Sequence, residues 1–119
     1  MYGVNPSAVG AQEYYDSLFS LYATWGVDFV KVDDILLPYA AGEIESIRRA
    51  IDRAGRDMVL SLSCGPTEPE HADHLRKNAD MWRMTGDFWD RWEDPVSYTH
   101  LDVYKRQRLE QWACNGSCA

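Results

Sequence analysis

Basic runs, long apolar stretches and paired cysteines are all missing from this chain of 119 residues. With 12 lysines and arginines against 19 aspartates and glutamates, the formal charge is -7, which argues against nucleic acid or an anionic membrane surface as a partner. No apolar stretch approaches the roughly 20 residues needed to cross a bilayer, so no membrane segment is expected. The opening Met1-Tyr-Gly-Val-Asn-Pro-Ser7 has neither the basic nor the apolar region of a secretory leader, and localisation stays open. Cys64, Cys114 and Cys118 form an odd set, too small for a disulfide framework. The Cys114-x3-Cys118 spacing lacks the histidines of a zinc site, so neither a metal nor a cofactor is expected. Asn115-Gly-Ser117 matches a glycosylation triplet of a kind that is frequent by chance.

What is present suffices for one ordinary domain: 45% of the residues are hydrophobic and 13% aromatic. Residues 12–25 place Tyr15, Leu18, Phe19, Tyr22 and Trp25 at helical spacing, and Gly26 supplies a stop. A strand over residues 27–32 follows, almost continuously apolar, as expected of a parallel strand covered on both faces. Residues 43–54 set Ile44, Ile47, Ile51 and Ala54 on one helical face, ended by Gly55. Residues 58–63 read as a second short strand. Thr67-x-x-Glu70 reads as a capping box opening a helix through Lys77, and residues 81–85 as a third strand.

The order αβαβαβ predicts an α/β fold of about three parallel strands with flanking helices, joined by right-handed crossovers. Three such strands form an open sheet with two bare edges, so the pattern describes a sector of a larger fold. Two aspartates, Asp33 and Asp87, close the first and third strands, at the carboxyl end where parallel folds bind ligands. A matched pair of carboxylates there suggests sugar chemistry.

Three segments carry a resemblance: Trp25-Gly-Val-Asp-Phe-Val-Lys-Val-Asp33, Gly55-Arg-Asp-Met-Val-Leu-Ser-Leu-Ser-Cys64 and Met81-Trp-Arg-Met-Thr-Gly-Asp-Phe-Trp-Asp-Arg-Trp92. Together they resemble glycoside hydrolase family 27, the α-galactosidase family, over roughly residues 10–94. The resemblance implies a retaining glycosidase on a (β/α)8 TIM barrel, of which this chain would supply strands four to six. It also implies that Asp33, in Lys-x-Asp, is the nucleophile and that Asp87, in Arg-x3-Asp, is the general acid/base. Lys31 and Arg83 would hold sugar hydroxyls, with Cys64 and Gly65 beside the sugar. Three positions depart from the family pattern: Asp34 stands where Gly is usual, Ile35 where a disulfide Cys is common, and Gly65 where α-galactosidases of the animal and plant type carry a sugar-reading Glu.

The chemistry accounts for these residue types on its own terms. A retaining glycosidase needs two carboxyl groups about 5 to 5.5 Å apart, one ionised to attack and one protonated to release the leaving oxygen. Lys31, two residues before Asp33 and on the same face, favours the ionised form of Asp33. Asp87, flanked by Phe88 and Trp89, would be desolvated and held protonated.

Other readings of the same residues remain. Asp33 and Asp34 would cap the next loop or bind Mg2+, Lys31 would form a Schiff base in a TIM-barrel lyase, and the segment would serve as a non-catalytic carbohydrate-binding or inactive barrel piece. His71-x-x-His74, with Glu68, Glu70 and Asp73, reads as a solvated helix face. Of Trp82, Trp89 and Trp92, two are expected in the core, and Cys64 is either sugar-adjacent or a small buried hydrophobe. Residues 1–94 thus read as a partial glycosidase barrel whose partner is a small carbohydrate. Residues 95–107 resemble a translated adaptor string of the kind that recurs in metagenomic assemblies, with a surface loop as the alternative, and residues 108–119 read as a truncated helix and tail.

Overall fold

Three helix-then-strand steps build residues 3–63 and 65–85, which are the residues described in the computed structural model; all belong to one unit, Met1–Gly86. Helix α1 (Ala11–Thr24) leads to strand β1 (Phe29–Val32), α2 (Ala41–Arg53) to β2 (Val59–Leu62), and a 3-10 turn (Pro69–His71) runs into α3 (Ala72–Asn78) and then β3 (Met81–Trp82). The strands are parallel in the order β1-β2-β3, as the alternating pattern predicts.

The stop after α1 is set by main-chain geometry. Gly26 takes φ +76°, its N–H donates to Ala23 O (3.1 Å), and the Val27 N–H donates to Tyr22 O (3.0 Å). This pair of bonds is the Schellman arrangement, which needs a left-handed residue at the Gly26 position. It also occupies the Val27 amide, so the ladder begins later than the expected residue 27. Arg56 holds the same corner through Val27 O (3.2 Å) and the Asp28 carboxylate (2.5 Å).

The expected capping box is not formed. Thr67 Oγ1 donates to Arg83 O at 2.7 Å, tying the loop after β2 to the end of β3. The helix opens instead with Pro69 in its first turn, where the missing N–H costs nothing. Strand β3 is shorter than expected, although Arg83 N still donates to Leu62 O at 3.2 Å.

One face of the sheet is sealed. Leu60 and Leu62 are fully buried among Tyr15, Phe19, Ile44, Ile47, Ile51 and Leu75, with Val30, Val32 and Trp82 packed against them. Each fully buried Leu or Ile contributes about 1.5–3 kcal/mol of transfer free energy. Trp25 does not join this stripe: it caps α1 and is largely exposed, its ring tilted against Tyr22. The expectation that β1 is covered on both faces also fails among the described residues. Phe29 and Met81 are each 52% exposed and Val59 is 39% exposed, all on the face opposite the helices.

Candidate active site

The parallel register fixes which residues share that open face. Phe29 lies beside Val59, and Lys31 beside Ser61, which lies beside Met81. Side chains alternate along a strand, so the next row outward on this face is Asp33, Ser63 and Arg83, at the carboxyl ends of β1, β2 and β3. Bonds from Ser63 N to Val32 O (2.8 Å) and from Arg83 N to Leu62 O (3.2 Å) carry the ladder into this row. The structure thus brings together three charged groups named from the sequence: Lys31, Asp33 and Arg83.

Asp33 is held by the turn that follows it. Asp34 takes φ +56°, a left-handed conformation that Asp tolerates better than most residues. Ile35 and Leu36 then dive into the core at 2% and 3% exposure, and Ile35 N donates to Ser63 O at 3.3 Å. Ile35 is therefore an apolar anchor of the turn that follows Asp33.

The Lys31 ammonium straddles the Asp33 carboxylate, with Nζ 3.1 Å from Oδ1 and 3.3 Å from Oδ2. Both side chains are about half exposed, so the pair adds little to stability and its main effect is on charge state. The hydrogen bond from Lys31 holds Asp33 below the usual carboxylate range. The Ser63 hydroxyl acts in the same direction, desolvation opposes it, and the charges of Lys31 and Arg83 add to the lowering. Asp33 is thus an ionised, solvent-accessible carboxylate at the mouth of the open face, as expected from Lys31.

Ser63 was not singled out from the sequence. It is 1% exposed and its Oγ has no hydrogen-bond partner, and its hydroxyl acts to lower the Asp33 pKa from the neighbouring strand end. The available signal was positional. Ser63 ends an apolar strand at the same step as Asp33 ends β1.

Gly65 takes φ +90°, and a Cβ built there would meet Leu37 Cβ at 3.3 Å. A side chain at this position would strain the backbone and push on Leu37, so the loop as it stands suits the glycine it carries. Cys64 and Asp87 lie outside the described residues, as do Trp89, Trp92 and residues 95–119. Trp82, one of the three tryptophans of which two are expected in the core, packs against it.

The two histidines are not a solvated face. The Tyr39 ring stacks on His71 with centroids 3.7 Å apart, its hydroxyl and His74 Nδ1 are 2.6 Å apart, and His74 Nε2 lies 3.1 Å from Glu45 Oε1. Burial, and then the Glu45 charge, raise the Tyr39 pKa. This cluster ties the loop after β1 to α3, a long-range pairing that helical spacing alone does not show. Among the described residues, no group of three His, Cys, Asp or Glu side chains is placed to hold a metal.

A family model described as Alpha galactosidase A matches residues 5–118. The alpha-galactosidase A of Cellvibrio japonicus is 34% identical over 84 residues, covering 67% of this chain and 20% of the relative. A GH27 β-L-arabinopyranosidase from Geobacillus stearothermophilus superposes with TM-score 0.76 and 58% identity, over 86% of this chain and 24% of that one. A variant of the same enzyme, solved in complex with arabinose, superposes with TM-score 0.73 and 62% identity, covering 78% of this chain and 22% of the other. The chain thus spans about a fifth to a quarter of the length of these relatives.

Proposed function

Since the chain belongs to the alpha galactosidase A family, glycoside hydrolase family 27, and its strands are part of a (β/α)8 barrel, we propose that it supplies strands four to six and the nucleophile of a retaining glycosidase. The observation that carries this reading is the accessible, ionised Asp33 at the strand end, clasped by Lys31 and in line with Arg83.

In this reading an Asp33 oxygen attacks the anomeric carbon while Asp87 gives its proton to the departing glycosidic oxygen, leaving a glycosyl ester on Asp33. Asp87 then takes a proton from water, whose oxygen attacks the same carbon and releases Asp33, so the configuration is retained. Lys31 and Arg83 keep Asp33 anionic until the bond forms and donate to sugar hydroxyls. The Lys31 Nζ is engaged by both oxygens of the Asp33 carboxylate, a placement that serves the carboxylate and weighs against Schiff-base chemistry.

The substrate class is a galacto-configured pyranoside. The family description supports an α-D-galactoside, and the 58% identity to a β-L-arabinopyranosidase favours the ring that lacks the hydroxymethyl group. The test is kcat/KM of the full-length protein on nitrophenyl α-D-galactoside and β-L-arabinopyranoside. Turnover of either with retained configuration supports the mechanism, and their ratio assigns the sugar. Hydrolysis of neither, or inverted products, overturns it. Residues 95–107 are in this view foreign to the natural protein, and recovery of the same codons from independent unamplified DNA would contradict that.

A further inference from the structure

A buried hydroxyl without a partner is costly in a folded protein, and Ser63 carries one at the edge of the site. Its backbone is fixed on both sides. The Ser63 N–H donates to Val32 O at 2.8 Å, and its carbonyl accepts from Ile35 N at 3.3 Å, so the two residues flanking Asp33 and Asp34 are bonded to it. Leu62, immediately before it, is fully buried. The Cβ of Ser63 is therefore rigid relative to the end of β1, and one torsion aims the hydroxyl. Lys31 differs: it is a long, half-exposed chain whose ammonium reaches both Asp33 oxygens without choosing between them.

We propose that Ser63 is a positioning residue for Asp33, donating a hydrogen bond to the carboxylate oxygen that does not attack the sugar and so turning the other oxygen toward the anomeric carbon. The inference rests on the reading of Asp33 as nucleophile. The proton stays on Ser63 throughout. While the glycosyl ester exists, the hydroxyl bonds its carbonyl oxygen, and as water displaces Asp33 that oxygen regains charge and the bond strengthens. The direction in which the hydroxyl moves the Asp33 pKa agrees with a donor role. Ser61, one row deeper and beside Lys31, is set back from the carboxylate and serves as the control.

The experiment uses the full-length protein with Ser63→Ala, Ser63→Thr, Ser61→Ala and Asp33→Asn, assayed on the better of the two nitrophenyl glycosides. Ser63→Ala should lower kcat/KM about tenfold, as for loss of one hydrogen bond to a charged group. The loss should fall mainly in kcat. The acid limb of the pH profile should move up as the nucleophile loses a donor. Ser63→Thr should restore the limb, and Ser61→Ala should leave it in place. An unmoved limb in Ser63→Ala, with Asp33→Asn inactive, overturns the inference and leaves the mechanism standing. Near-normal activity in Asp33→Asn overturns the mechanism itself. If Ser63→Ala does not fold, Ser63→Cys keeps the volume with a weaker donor, and a wild-type acid limb in that variant also overturns the inference.

Discussion

The two faces of the three-stranded sheet carry opposite kinds of residue on the same strands. Toward the helices stand Leu60 and Leu62, fully buried in the core, with Val30, Val32 and Trp82 half-buried against it. Away from them stand Phe29, Val59 and Met81, then Lys31 and Ser61, and at the rim Asp33, Ser63 and Arg83. The two-residue period of a strand makes this division possible, since each neighbour in sequence belongs to the other face. Stability is concentrated on one face, and the groups able to do chemistry on the other. In a closed (β/α)8 barrel the second face points inward, where layers of side chains fill the interior below the ligand end. In such a barrel the exposed Phe29, Val59 and Met81 would fall in those deeper layers.

The contrast breaks most visibly at Asp33. In the full-length protein, Asp33→Asn should cost about 4–7 kcal/mol of transition-state stabilisation, a thousandfold or more in rate, with little change in Tm. Asp87→Ala should keep glycosylation by substrates with acidic phenol leaving groups, and added azide should then raise turnover. If both variants responded alike to azide, the assignment of separate roles would fail.

On the sealed face the effect should appear as stability. Leu60→Ala removes a fully buried side chain and should cost about 2–5 kcal/mol by denaturant titration, while kcat per folded molecule stays near wild type. A Leu60→Ala protein with normal stability and lost activity would erase the distinction between the faces.

The element order and the site were legible to different depths. Strong periodicity in α2 and the glycine stops at Gly26 and Gly55 carried the αβαβαβ order, because backbone conformation and apolar spacing are local properties. The capping box failed because Thr67 is used across the sheet, on Arg83 O, which local sequence cannot show. The Tyr39, His71 and His74 cluster escaped for the same reason, its members lying 35 residues apart at the Tyr39–His74 bond. Lys31 and Asp33 were readable because both sit on one strand. Ser63 became visible only once the register set it beside Asp33.

Smaller effects sharpen the picture. Tyr39→Phe removes the hydroxyl paired with His74 and should destabilise the loop after β1 by about 0.5–1.5 kcal/mol, seen as faster amide exchange there and in α3. The smallest effect concerns acid. Asp33 has a folded pKa below its ordinary value of 3.8, so its contribution to stability is complete above that value and is lost as pH falls through the lower folded one. Half-exposure keeps that contribution slight, and Asp33→Asn should flatten the Tm profile only below about pH 4.

The central claim, that Asp33 is the nucleophile of a retaining glycosidase, is tested most directly by trapping the covalent intermediate. The full-length protein is incubated with an activated fluoro-glycoside of galacto configuration, digested with trypsin and mapped by fragment-ion mass spectrometry. The account predicts one glycosyl adduct, on Asp33, in the peptide that begins after Lys31. An adduct on Asp34, Asp87 or Lys31 in an active preparation would contradict it.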